Sequence, residues 1–387
     1  MEENSIEPTV GKDWYLSVGI ALVVAIAIFG YLYWGKLDGN ITGFFRIGSE
    51  LPLSPLLEPD KTLIFQGELG YDGQQFLSIA LDPGLTNPDT VAALDHPAYR
   101  YRRIFYPLLG YGLGLGNPDW IPWALVAINL GAIAVCTGLI GLLLSPHTSR
   151  FNALGVLAIP GIWMILSLST ADLLASVWGL GAILGLQKQR LWVMAGCLAG
   201  GLLTRETLLV LWLAVLLAQL QRKQWSAIAP LGLSLLPLMG WLGYIQWRQL
   251  PGGSGSGNFG WPLVGIFEKF QGLISNGLTS SNLYEAYLWL LLGAGFGLLI
   301  WTMGRSIYTV NAAVTDVFLI TGYASWLYLG LLSVASFYIL NYYLNYSRVF
   351  LDIFLFNVLI SRPYYLAKKG FFTACALASI AFLALQS

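Results

Sequence analysis

Seven stretches of this chain carry no charged side chain at all: residues 14–34, 120–144, 151–171, 225–247, 286–304, 317–340 and 371–386. A helix of about 20 apolar residues spans the ~30 Å hydrocarbon core of a bilayer, and it satisfies its own backbone hydrogen bonds where water cannot. The expected fold is therefore an all-α, multi-pass membrane protein, read as a single membrane domain over residues 1–387. Composition agrees, at 56% hydrophobic and 10% charged, far from an ordinary soluble domain. Twenty basic residues balance twenty acidic ones, so nothing in the net charge calls for a nucleic-acid partner, and none is expected. Cys136, Cys197 and Cys375 fall inside apolar stretches as small hydrophobes, with no CxxC or Cys/His spacing for a disulfide or zinc. The first apolar run lacks a small-residue cleavage site and reads as a retained helix.

Four further stretches, residues 173–187, 191–204, 207–221 and 347–361, are shorter or carry a charge, as Asp352 does. Counting them gives about eleven crossings. With the N-terminus cytoplasmic, the inner loops then hold His147 and Arg150, Lys188 and Arg190, Arg222 and Lys223, Arg305, and finally Arg362, Lys368 and Lys369. Acids after the first helix fall mainly on the other side, with Asp316 the main exception, as the positive-inside rule requires. One crossing more or fewer destroys that pattern. It also favours a hairpin over one long helix for residues 191–221, with Thr204-Arg205-Glu206 at the tip. Each arm, at about 1.5 Å per residue, stops short of the full hydrocarbon thickness.

This parity leaves residues 35–119 as one large external loop holding ten of the twenty acids. Its weak periodicity predicts short helices packed on the membrane domain, and residues 104–116 suit a juxtamembrane helix. A second external loop covers residues 248–285 and includes a glycine-rich segment, residues 251–258, that suits a mobile lid.

Chemistry gathers in the first loop. Asp72 lies between Tyr71 and Gly73, where a bend can aim a carboxylate into a cavity as a general base, or leave it bonding its own turn. Gln74 and Tyr71 flank it and are assigned with the substrate. Glu68, four residues upstream, shares a face with Asp72 if the segment is helical, and such a pair can hold a divalent cation, magnesium or manganese. Arg100, Arg102 and Arg103, interleaved with Tyr99, Tyr101 and Tyr106, form a basic cluster on the disfavoured side. It fits phosphate oxygens, or alternatively snorkelling at the lipid interface. Arg205 and Glu206 at the hairpin tip need a polar cavity or each other. Asp172 opens its helix as a cap or as a partner of Arg205. Arg348 either joins this group or pairs with Asp352 at i+4. The parity brings Asp72, the arginine cluster, Asp172, Arg205 and Arg348 to one face.

In layout this chain resembles the GT-C superfamily of polytopic glycosyltransferases, which use polyprenyl-phosphate-linked sugars. The stretch Tyr71-Asp72-Gly73-Gln74, with Pro97-Ala98-Tyr99-Arg100-Tyr101-Arg102-Arg103-Ile104-Phe105-Tyr106-Pro107-Leu108-Leu109 and the tip Leu203-Thr204-Arg205, looks like a mannosyltransferase-like bacterial branch. The resemblance implies an inverting hexosyl transfer at the external face of the cell membrane, from a polyprenyl-phosphate donor to an envelope glycan, lipid or protein. It assigns Asp72 as base or metal ligand and Arg205 to the lipid phosphate. Many members carry paired acids where this chain has Asp72 followed by Gly73 and Gln74. A lipid or glycan transporter would also collect charges in a central cavity, and a scaffold of an envelope complex would give its polar residues no common focus.

Overall fold

A computed structural model of the protein describes residues 13–144, 149–252, 256–309, 316–360 and 365–385. The charge-free first run forms α1 (Asp13–Gly35). The first loop then folds as short pieces: β1 (Ile47–Gly48) paired in parallel with β2 (Ile64–Phe65), then α2 (Asp72–Leu81), α3 (Pro88–Ala92), α4 (Pro97–Arg100) and α5 (Phe105–Leu113). Prolines at the first or second position start α3 and α4, where a missing N–H costs nothing. The helix expected over residues 104–116 is α5. There follow α6 (Ile121–Leu143), α7 (Pro160–Leu168), α8 (Asp172–Gln187), α9 (Leu191–Thr204), α10 (Leu209–Gln221), α11 (Ile228–Leu233) and α12 (Leu236–Arg248). Then come α13 (Val264–Ser275), α14 (Ser280–Thr309), α15 (Asp316–Val334), α16 (Phe337–Leu340), α17 (Tyr343–Val349), α18 (Leu351–Leu359) and α19 (Tyr365–Leu385).

Among the described residues, six helical stretches are long and apolar enough to cross a membrane: Trp14–Gly35, Ile121–Leu143, Trp225–Arg248, Ser280–Gly304, Asp316–Val334 and Ala367–Leu385. The protein is thus all-α and of membrane type. Several expected crossings are broken or short. Residues 151–171 bend by 61° between Phe151–Ala158 and Pro160–Leu168, because Pro160 has no N–H for the preceding turn and holds Ile159 extended. The run 317–340 stops as a helix at Val334, where the backbone turns to the second loop: Ala335 bridges Phe259, and the Gly260 N–H donates to the Val334 carbonyl at 2.8 Å. The run 347–361 is split at Phe350 into α17 and α18. Between α9 and α10 the chain breaks at Arg205, whose backbone is extended (φ −160°, ψ 128°), so residues 191–221 are not one helix. α9 packs chiefly on α8, and α10 chiefly on α15. His147, Arg362 and residues 253–255 of the glycine-rich segment lie outside the described residues.

A large apolar core runs through the helical body. A smaller cluster of Ile79, Leu85, Leu94, Tyr101, Ile104 and Ile245 fastens the first loop to α12. Polar staples reinforce it. The Trp241 indole donates to the Tyr101 carbonyl at 2.8 Å, and the Arg248 guanidinium donates to the Gly84 and Leu85 carbonyls at 2.9 Å each. The loop is therefore held as a cap over one end of the bundle.

Candidate functional site

Two glycines aim Asp72. Gly70 takes φ +85°, a conformation open to glycine but strained for other residues, and so turns the chain into α2. Gly73 needs no unusual torsion. A Cβ there would lie 2.2 Å from the Leu168 carbonyl oxygen and 3.0 Å from the Phe45 Cα, so its role is to let the start of α2 sit on the end of α7. That corrects the expectation of a bend at Gly73: the turn is at Gly70, and Asp72 is the first residue of a helix. Helix N-termini favour a carboxylate. On the other side of this contact, Ser169 in the left-handed region (φ 47°) closes α7 and sends the chain into α8, with Asp172 at its start.

The side chains then interlock. Arg100 donates to Asp72 Oδ1 at 2.6 Å and grips Asp95 with two bonds, at 2.8 and 2.6 Å. Arg348 donates to Asp72 Oδ2 at 3.1 Å, to Asp172 Oδ2 at 3.0 Å and to the Tyr71 hydroxyl at 2.7 Å. Arg205 pairs with Asp172, which also accepts from the Thr170 hydroxyl at 2.7 Å. Arg103 donates to Glu206 at 3.1 Å and to the Tyr99 hydroxyl, which accepts from Asn258 of the second loop at 3.0 Å. The Tyr71 hydroxyl donates to Asn345 Oδ1 at 2.5 Å. These partners come from α2, the segment around α4, the start of α8, the α9–α10 break and α17. They enclose a cavity of about 790 Å³ that Tyr71, Asp72, Arg100, Arg103, Arg205 and Arg348 line. Asp72 retains 19% exposure there, against 4% for Arg348.

Burial pushes the Asp72 carboxyl up, but Arg100, Arg348 and Arg103 outweigh it and hold the group well below the usual carboxylate range. Asp95 is depressed in the same way, burial being overcome by its bonds and charge contact with Arg100. Burial raises the Tyr71 hydroxyl above its ordinary value despite Arg348, so it stays a neutral donor. Asp72 is therefore a firmly ionised anion and, with both guanidinium partners in place, a weak proton acceptor.

Several assignments are corrected. Glu68 precedes the helix, so it shares no helical face with Asp72, and its carboxylate is taken by Arg46 at 2.6 and 2.8 Å. The donor set around Asp72 does not fit a divalent cation, because guanidinium groups occupy both its oxygens. Among the described residues no group of three or more His, Cys, Asp or Glu gathers as a metal centre does. Gln74 is buried and accepts from the Gly48 N–H at 2.9 Å, pinning β1 instead of reaching the cavity, while Gln75 reaches it. Arg102 is outside the lining and lies 5.9 Å from the Tyr99 ring centre. Arg348 does not pair with Asp352, which accepts from Ser176 at 2.6 Å and from Tyr328. Asp172 and Glu206 stand behind the lining and hold Arg205 and Arg103. Sequence reasoning missed Asp95, Asn258 and Asn345 as members of the network. The spacing Asn345 to Arg348, one helical turn within an apolar region, is the signal that could have found Asn345.

Compared with protein-family models, with curated proteins and with solved structures, the chain matches none.

Proposed function

We propose that this chain is an integral-membrane glycosyltransferase of the GT-C type, mannosyltransferase-like, moving a sugar from a polyprenyl-phosphate donor to a hydroxyl of an envelope glycan, lipid or protein. The observation that carries this reading is that Asp72 and four guanidinium groups, drawn from distant parts of the chain, face one cavity. Arginine forks match phosphate oxygens, and a carboxylate beside them can take a proton. In the reaction, the acceptor oxygen attacks the anomeric carbon from the side opposite the phosphate. The bond from that carbon to the phosphate oxygen breaks, its electron pair stays on the phosphate, and the acceptor proton passes to Asp72. Configuration inverts.

The charges are consistent with this. Four arginines, Arg100, Arg103, Arg205 and Arg348, face four acids, Asp72, Asp95, Asp172 and Glu206. An arriving phosphate competes with Asp72 for Arg100 and Arg348. As those partners turn to phosphate, Asp72 gains proton affinity at the step that needs a base, and the same guanidinium groups stabilise the leaving group. Phosphate gains one negative charge as Asp72 loses one, so the cavity total is unchanged.

In this reading the chain crosses the cell membrane eleven times, the six long helices joined by the bent pair 150–168, α8, α9, α10 and the split pair 343–359. The N-terminus is cytoplasmic and the cavity external. Support comes from the loop basic residues and from Asp316, the main acid on their side after α1, which Arg222 neutralises at 2.9 Å. Broken helices beside ionisable groups also suit a lipid or glycan transporter. Purified protein supplied with a lipid-linked sugar separates the two. Asp72→Asn is expected to lose transfer by about a hundredfold or more and to keep binding prenyl monophosphate. A variant that transfers at the wild-type rate overturns the reading, and lipid movement across vesicles that persists in that variant favours transport.

A further inference from the structure

The second external loop holds a helix whose surface divides into three sectors. At about 100° per residue, Gly265, Lys269, Gly272 and Leu273 of α13 fall together and face the protein. Phe267, Phe270 and Ile274 fall together on a second sector, exposed by 69%, 49% and 82%. Glu268, Gln271 and Ser275 share a third, also exposed. A helix at a protein–water boundary needs only two such sectors.

Its roll is fixed from the buried side. A Cβ on Gly265 would lie 2.2 Å from the Ala335 carbonyl oxygen, so the helix backbone rests directly on the turn after α15. Lys269 pairs with Glu285 of α14 and donates to the Asn341 carbonyl at 3.0 Å. At the C-terminal end, Asn282 caps the helix by donating to the Leu273 and Gly277 carbonyls at 2.8 and 2.6 Å. The apolar sector continues onto α14. Phe270 meets Trp289 edge-on, with ring centres 6.0 Å apart, and Leu283 and Leu290 are exposed beyond it on a helix that is itself long and apolar enough to cross a membrane. Trp261 and Leu278, before and after the helix, are 82% and 90% exposed.

We infer that α13 lies in the plane of the bilayer at the lipid headgroup level, its Phe267, Phe270 and Ile274 sector in the acyl boundary and its Glu268, Gln271 and Ser275 sector in water. The stripe continues onto α14, a candidate membrane span, so the lipid around α14 is what buries it. Behind α13 stands α16, and Phe337, Tyr338 and Ile339 of α16 form one edge of the cavity. The helix thus sets that edge at the height of lipid phosphates, where an anionic single-phosphate lipid reaches the arginines sideways without leaving its leaflet. The placement of α13 is independent of the proposed transfer reaction.

The test uses full-length protein in phosphatidylcholine vesicles, with an environment-sensitive fluorophore on Phe267→Cys, Ile274→Cys, Glu268→Cys or Gln271→Cys. Unmutated protein controls for labelling of the native cysteines. Labels at 267 and 274 are expected to be quenched severalfold more strongly by shallow spin-labelled lipid than those at 268 and 271. Iodide in the water is expected to reverse the order. Equal iodide quenching at all four positions, or shielding of 267 and 274 from both quenchers as under a protein partner or second copy, overturns the inference. Two positions in each sector keep the result readable if one variant misfolds.

Discussion

Asp172 accepts from Arg205, Arg348 and Thr170 while only 6% exposed, so its removal leaves two guanidinium groups buried without their shared counter-charge. Breaking one side of such a pair costs about 3–5 kcal/mol. Asp172→Asn is accordingly expected to lower the thermal unfolding midpoint of the purified protein sharply. Glu68→Gln, which loosens an Arg46 pair that is 39% to 41% exposed, is expected to change stability by about 0–1 kcal/mol. Equal midpoints for the two variants would show that the buried network is not what holds the cap. Which charges meet was partly legible in the chain: Asp72, Arg100, Arg103, Arg205 and Arg348 line one cavity. What sequence could not supply is helix phase. Because α2 starts at Asp72, Gln74 turns inward to β1 and Gln75 turns to the cavity, a one-residue difference that composition does not encode.

The contact between α2 and α7 decides where Asp72 points, and Gly73 is the place where it can be tested. A methyl group there meets backbone, which cannot rotate away, so Gly73→Ala is expected to destabilise by about 1–3 kcal/mol and to displace Asp72. On α5, a methyl group added at Gly112 would meet nothing within 4 Å, and Gly112→Ala is expected to be neutral or stabilising by up to about 1 kcal/mol. Melting curves of the two variants check this, and a Gly73→Ala protein as stable as wild type would refute the close approach. The long helices were readable from charge-free length and the break at Arg205 from the charge parity, whereas most interruptions inside the apolar runs were not. Pro160 marks its own break. The breaks at Val334 and Phe350 carry no such residue. The first accompanies backbone groups turning to the second loop, and before the second α17 packs on α7 and carries Arg348 to Asp72 and Asp172, both long-range contacts.

At the scale of the molecule, the proposed parity makes a sidedness prediction. Lys188→Cys is expected to react with a membrane-impermeant thiol reagent only from the cytoplasmic side, and Asp119→Cys only from the opposite side. Reaction of both from one side removes a crossing between them and with it the external location of the cavity. The general class of the protein was plain from its apolar runs, and the charge parity brought Asp72, Asp172 and Arg348 to one face, but the individual bonds were not legible, since Arg348 reaches Asp72 across 276 positions and Asp172 across 176. That reach has a consequence for how the protein is made. Until residue 348 is made, Asp72 and Asp172 lack the Arg348 guanidinium, although the contacts of the first loop with α12 are already available. The charge network is thus expected to be completed late, when α17 brings Arg348 to a cap that α12 already holds.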